Sequence, residues 1–223
     1  MNNIRILICD DHAMLRAGII AYLEKKSGLY VIGEASNGNE LIEKYETLKP
    51  DLVITDIAMP GLSGTEAVKK LKLKYPAIKV LFISILLGEF DIYYTIKVGG
   101  LGLLGKDILT GELFFAINKI YSGKYYFGPN YNDKKIQEII EKYDNQPSEY
   151  DFNSRMQLTD VEDKILEYIN DNYSSIEIAE KMEMPKRTID SQRINIMKKY
   201  GLKNTLALIK FAIHYTEFKK NKQ

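Results

Sequence analysis

The chain has 223 residues and a mass of 25.6 kDa, with 45% hydrophobic and 27% charged residues and a formal net charge of +1. These values suit a globular protein of about two domains and exclude a disordered chain, a collagen-like fibre and a disulfide scaffold. One cysteine and two histidines allow no internal disulfide and too few soft ligands for a structural zinc site. No apolar run reaches the roughly 18 residues that span a bilayer. The opening Met1-Asn2-Asn3-Ile4-Arg5 leads straight into a strand-like run, so no signal peptide is expected and the chain is read as cytoplasmic.

Strand-like runs at 4–9, 30–34, 52–55, 79–83 and 101–104 alternate with helical patterns near 13–26, 39–48, 65–74, 90–98 and 110–122. Asn37 and Thr110 are the expected N-caps of the second and fifth helices. Five β–α units predict a five-stranded parallel sheet with helices on both faces, and a ligand site at the carboxyl ends of the strands. Polar residues stand at those ends. The first strand ends in Asp10-Asp11, the third in Asp56, the fourth in Ser84 and the fifth in Lys106. Three gathered carboxylates repel one another unless a cation neutralises them, and hard oxygen ligands suit Mg²⁺. A carboxylate beside that ion can accept a phosphoryl group, with a hydroxyl and a lysine across the site to hold the transferred oxygens.

Residues 1–127 resemble the receiver domain of two-component response regulators, through ILICDDH, DLVITDIAMPGLSG, VLFIS and GLGLLGKD in that order. The resemblance implies a flavodoxin-like, doubly wound fold and phosphorylation of Asp56 by a histidine kinase. It also implies direct Mg²⁺ binding by Asp11, Asp56 and the Ala58 carbonyl, with Asp10 acting through water. Ser84 and Lys106 would then contact the phosphoryl oxygens. His12 is read as structural. Three departures stand out. Leu103 occupies the place of a switch aromatic, for which Tyr93 and Tyr94 are the nearby substitutes. Ile85 is larger than the residue expected after the switch hydroxyl and should slow access of the donor. Ala58 and Leu86 lack polar groups to orient an attacking water, so a long-lived acyl phosphate is expected.

Residues 128–155 hold Pro129 and Pro147 and read as a tether with one short helix over 134–143, either docked or free. From residue 156 onward the pattern is helical. Thr159 and Glu162 form a capping-box signature, residues 174–182 make a short second helix, and Glu183-Met184-Pro185 turns the chain into a third helix over 186–200. Charge is uneven here: residues 156–184 carry a net −6 and residues 185–223 a net +8, including Lys219, Lys220 and Lys222 near the end. A cationic segment of this density suits a polyanion, although a solvated lysine face would explain the charge alone. On the third helix Ile189, Ile196 and Tyr200 fall on an inner face. Lys186, Arg187, Thr188, Ser191, Asn195, Lys198 and Lys199 are the candidate DNA contacts of a major-groove reader.

Residues 156–215 are similar to the LuxR-type helix-turn-helix of the NarL/FixJ subfamily, through Leu158-Thr159, Glu177-Ile178-Ala179, Thr188-Ile189, Asn195-Ile196 and Lys199-Tyr200-Gly201. Asp190 stands where relatives carry a lysine that approaches DNA, and Gln192 replaces a common histidine. A last helix over 205–218 carries Leu208, Ile209 and Ala212 on one side, Phe211 and Tyr215 beside them, and Leu206 and Ile213 further round. The second apolar side is either part of a minimal core or a dimer interface, as the resemblance suggests. The reading is a receiver over 1–127, a linker over 128–155 and a small all-α DNA-binding domain over 156–223. Such a protein would take a phosphoryl group from a kinase, bind double-stranded DNA as a homodimer and regulate transcription, without being an enzyme. Two alternatives compete: a signalling adaptor acting through protein contacts, and a Mg²⁺-dependent phosphatase that forms an aspartyl phosphate. The second normally needs an Asp-x-Asp pair and a cap domain, and this sequence shows neither.

Overall fold

The computed structural model describes residues 3–84, 87–106, 111–145, 158–200, 202 and 204–220, except for the side chains of 210, 214 and 217–220. The expectations for Ile85, Leu86, Thr110, Gly201, Lys222 and the last part of the tether, 146–155, fall outside the described residues. The chain forms two compact units, Met1–Asp144 and Asn145–Gln223.

In the first unit, strands β1 (Ile4–Cys9), β2 (Leu29–Ala35), β3 (Leu52–Asp56), β4 (Val80–Ser84) and β5 (Gly102–Gly105) form one parallel sheet in the order β2-β1-β3-β4-β5. Each strand lies within one residue of its expected bounds, because aliphatic, β-branched runs this short between turn formers suit buried strands and are too short for helices. Helices α1 (Ala13–Leu23), α2 (Gly38–Leu48), α3 (Gly64–Lys74), α4 (Glu89–Lys97) and α5 (Gly111–Tyr121) connect and follow them.

Period-two alternation sorts the strand residues between two cores. Ile4, Ile6, Ile8, Leu52, Ile54, Leu81, Ile83 and Leu104 pack against Ile19 and Leu23 of α1 and Leu113, Ala116, Ile117 and Ile120 of α5. Leu7, Val53, Phe82 and Leu103 point the other way and are equally buried, with α2 against β1 and α4 against β5. A fully buried Leu or Ile stabilises by about 1.5–3 kcal/mol over an exposed one, so the two layers supply most of this unit's stability. Helix α1 stops three residues short of expectation. The Lys26 amide bonds back to the Leu23 carbonyl (2.8 Å), and Gly28 takes a φ of 84° to turn the chain into β2.

Two features bear directly on the site. Gly64 opens α3 so close to the end of β3 that a Cβ there would collide with the Asp56 carbonyl, which is why glycine follows the Ser63 cap. A sixth helix, α6 (Asp133–Asp144), docks on α4, which answers the question the sequence left open. Ile136 and Ile139 are buried, and the Tyr143 ring lies 5.4 Å from Phe90 and 5.3 Å from Tyr93. Ion pairs Lys142–Glu89 and Lys97–Asp144, both at 2.7 Å, flank the rings.

The second unit is all-α: α7 (Asp160–Asn170), α8 (Ser175–Lys181), α9 (Lys186–Lys199) and α10 (Thr205–Lys220). Capping boxes Thr159–Glu162 and Ser174–Glu177 set the starts of α7 and α8. Glu183 takes a φ of 51°, the Met184 amide bonds the Ala179 carbonyl (2.9 Å), and Pro185 then starts α9. Ile165, Leu166, Ile169, Ile178, Ile189, Ile196, Leu208 and Ala212 make the core, with the Tyr200 and Phe211 rings in tilted contact at 4.5 Å. On α10, Leu206 and Ile213 remain exposed at 62% and 38%. A minimal core therefore does not require them.

Candidate functional site

The parallel register brings the polar strand ends together. Asp56 pairs with Ile83 and Ser84 with Gly105, so Asp56, Ser84 and Lys106 stand at neighbouring carboxyl ends, with Asp10 and Asp11 following β1. Asp10, Asp56 and Ser84 are buried. The Lys106 ammonium lies 2.6 Å from Asp56 Oδ2 and 3.1 Å from Asp10 Oδ2. Ligand atoms of Asp10, Asp11, His12 and Asp56 all lie within 4.8 Å of one another. The Ala58 amide approaches Asp56 Oδ1 at 3.4 Å, and the Lys106 amide donates to the Ser84 carbonyl at 3.0 Å.

Burial pushes the Asp56 carboxyl up to about 7, against the pull of the Lys106 ammonium and with help from Asp10. Burial acts on Lys106 in the opposite sense, yet the two carboxylates outweigh it and hold the ammonium above its ordinary value. Asp10 Oδ2 and Asp11 Oδ1 are buried and receive no aligned hydrogen bond, although Lys106 and His12 lie beside them. Carboxylate lone pairs left open in a buried acidic cluster fit a hard divalent cation.

His12 and Arg16 belong to the site more closely than the sequence suggested. His12 Nδ1 lies 2.9 Å from Asp11 Oδ1 and 3.2 Å from Asp10 Oδ1, and its amide donates to Asp10 Oδ1 at 2.7 Å. Arg16 donates to the Asp10 carbonyl at 2.6 Å and to Glu34 at 2.8 Å, clamping the end of β1. The only sequence signal for Arg16 was its position one helical turn after His12. Leu103 is fully buried, and the two substitute tyrosines are engaged elsewhere. Tyr93 donates to Asp144 at 2.9 Å, while the Lys69 ammonium sits 5.2 Å over the Tyr94 ring. Cys9 is a buried thiol pushed up to about 12 by burial, which keeps it un-ionised.

On α9 the expected contacts divide. Lys186, Arg187, Ser191, Asn195 and Lys198 are exposed, and Thr188 is half-buried. Lys199 turns inward and pairs with the buried Glu162 at 2.7 Å. Asp190 pairs with Lys186 at 2.6 Å, one turn earlier on the same helix. Arg193 donates to Ser175 Oγ at 3.0 Å, tying α9 to α8. One exposed residue of that face escaped the sequence reading: Ile194, at 52% exposure. Counting only polar side chains as DNA contacts passed over it.

Residues 6–118 match the family described as the response regulator receiver domain. The chain belongs to the response regulators. Residues 156–212 of this response regulator match the luxR family of bacterial regulatory proteins, so it combines a receiver domain with a LuxR-type DNA-binding domain. Over 94% of its length it is 29% identical to the oxygen regulatory protein NreC of Staphylococcus aureus, covering 96% of that protein. A LuxR-family response regulator from Aurantimonas sp. SI85-9A1 matches 65% of this chain and all of its own, at 26% identity and a TM-score of 0.57. RcsB of Salmonella enterica serovar Typhimurium, solved bound to promoter P1flhDC, shares the fold over 94% of this chain and 98% of its own (24% identity, TM-score 0.54). Among the described residues of this response regulator no helix is long and apolar enough to cross a membrane.

Proposed function

We propose that Asp56 takes a phosphoryl group from a histidine kinase, and that helix α9 then binds duplex DNA to regulate transcription in the cytoplasm. The observation that carries the first half is the contact of Lys106 with Asp56 at 2.6 Å inside a buried acidic cluster. Asp10, Asp11, Asp56 and the Ala58 carbonyl would hold Mg²⁺, which when bound supplies the positive charge that three carboxylates and an incoming phosphoryl group require. An Asp56 oxygen attacks phosphorus as the bond to the donor imidazole breaks, the ring nitrogen keeping the electron pair. Lys106 stands ready to pair with the added charge, and Ser84 to donate its hydroxyl to a phosphoryl oxygen. The new charge biases the surrounding loops and helices, the switch that couples the receiver to its output.

Residues 1–127 are assigned to the receiver and 156–223 to DNA binding, with 128–155 as the tether. Exposed Arg187 and Lys198 suit phosphates, and Ser191 and Asn195 suit base edges. The exposed Leu206 and Ile213 on α10 suit a two-fold contact between copies, which would place two readers on half-sites one helical turn apart or a multiple of that. Intact mass after incubation with acetyl phosphate and Mg²⁺ tests the acceptor. Wild type is expected to gain one phosphoryl group and Asp56→Asn none; equal gain in both would remove Asp56 from this role.

A further inference from the structure

We infer that Ile194 recognises the methyl group of a thymine in the major groove, fixing the base preference at one position of each half-site; this rests on the DNA-binding reading above. Helix α9 buries Ile189 and Ile196 completely, whereas Ile194 is 52% exposed. At about 100° per residue, with Arg187 at the origin, Lys198 and Ser191 fall about 20° and 40° to one side and Ile194 about 20° to the other. Ile194 therefore sits in the middle of the exposed polar face and not at its boundary with the core.

A lone apolar residue on a surface is ordinary, so the argument turns on where this one is. Base edges in the major groove present hydrogen-bond donors and acceptors and a single apolar group, the thymine C5 methyl. An isoleucine side chain has no hydrogen-bonding atom. Against any donor or acceptor it would only displace water; against a methyl it gains apolar burial. Its β-branch holds χ1 to one main rotamer in a helix, so little side-chain freedom is lost on contact. The charge around it is largely cancelled on one side, because Asp190 pairs with Lys186 at 2.6 Å. Packing, more than attraction to phosphate, is then what the centre of this face offers.

The test uses the full-length chain treated with acetyl phosphate and Mg²⁺. A binding site is selected from randomised duplexes, and each thymine in it is replaced singly by uracil, which lacks only the methyl. For wild type, one thymine per half-site is expected to lose about fourfold in affinity on replacement, the equivalent of one buried methylene-sized group. Ile194→Ala should bind the thymine site as weakly as wild type binds the uracil site, and should no longer tell them apart. Ile194→Val, which keeps branched methyls, should retain the discrimination and so separates lost contact from lost fold. Equal wild-type affinity at every thymine and uracil, or a full uracil penalty in Ile194→Ala, would overturn the inference while leaving DNA binding intact. Failure of wild type to bind any duplex at low salt would remove the DNA-binding reading and this inference with it.

Discussion

Asp56 is a carboxylate held where charge is unwelcome. Its pKa is raised by burial from 3.8 to about 7, so the native state keeps a proton that the unfolded chain releases. Stability from this group is therefore full below about pH 4 and is lost as pH rises through about 7. In EDTA, wild type should lose up to about 1.4 kcal/mol per pH unit across that window relative to Asp56→Asn, measured by denaturant unfolding. Added Mg²⁺ should raise the wild-type melting temperature more at pH 8 than at pH 5, because the ion competes with the proton for the same oxygens. The small residue at Ala58 bears on the product. With no polar side chain there to orient a water, the acyl phosphate should persist for many minutes at neutral pH, and decay within seconds would show that another group activates the water.

At the scale of elements, two helices owe their position to specific pairs. Lys199 and Glu162 join α9 to the capping box of α7, and their 2.7 Å contact is mostly shielded from solvent. Burial raises the Glu162 carboxyl, but bonds from Lys199 and the Thr159 amide more than compensate and leave it lowered. A lowered carboxyl contributes stability above its unfolded value that is lost as pH falls through the folded one. Lys199→Ala should therefore cost roughly 2–3 kcal/mol at pH 7, below the full cost of an orphaned buried charge because Lys199 is partly exposed, and much less near pH 3. Lys198→Ala should leave stability within about 0.5 kcal/mol and instead weaken DNA binding with a smaller salt dependence. Neighbouring lysines thus separate by chemical denaturation and by affinity. In the first unit, Tyr143→Ala should remove the ring packed against Phe90 and Tyr93 and lower hydrogen-exchange protection in α6, while β1 and β3 keep theirs.

Over the whole molecule, a net charge of +1 conceals a C-terminal segment of +8 preceded by one of −6. Some of that positive charge is internally matched, through Lys199–Glu162 and Lys186–Asp190. DNA affinity should accordingly fall with salt less steeply than ten basic residues would dictate; a log–log slope near that of the full count would show that these pairs open on binding. On the proposed switch, in which charge at Asp56 favours the two-fold contact, phosphorylated wild type should also be a larger species than Asp56→Asn by light scattering.

Much of this is legible in the sequence alone. Strand bounds, and helix bounds apart from the end of α1, followed from apolar runs of fixed length and period, and Asp10, Asp11, Asp56, Ser84 and Lys106 were legible from standing at strand ends. Those signals are local, and a parallel sheet allows only one place for such residues to meet. What lay beyond local pattern needed the tertiary structure. Lys199 and Lys198 are indistinguishable as neighbouring lysines on a helix, and only the position of Glu162 on another helix turns one of them inward. Arg16 and His12 join the acidic site because α1 returns its first turn across the end of β1. The docking of α6 depends on Phe90 and Tyr93 being presented together on α4. Ile194 reads as one more apolar residue until the core is assembled without it. Residue type and spacing determine which elements form, but partners far apart in the chain decide which face each side chain must serve.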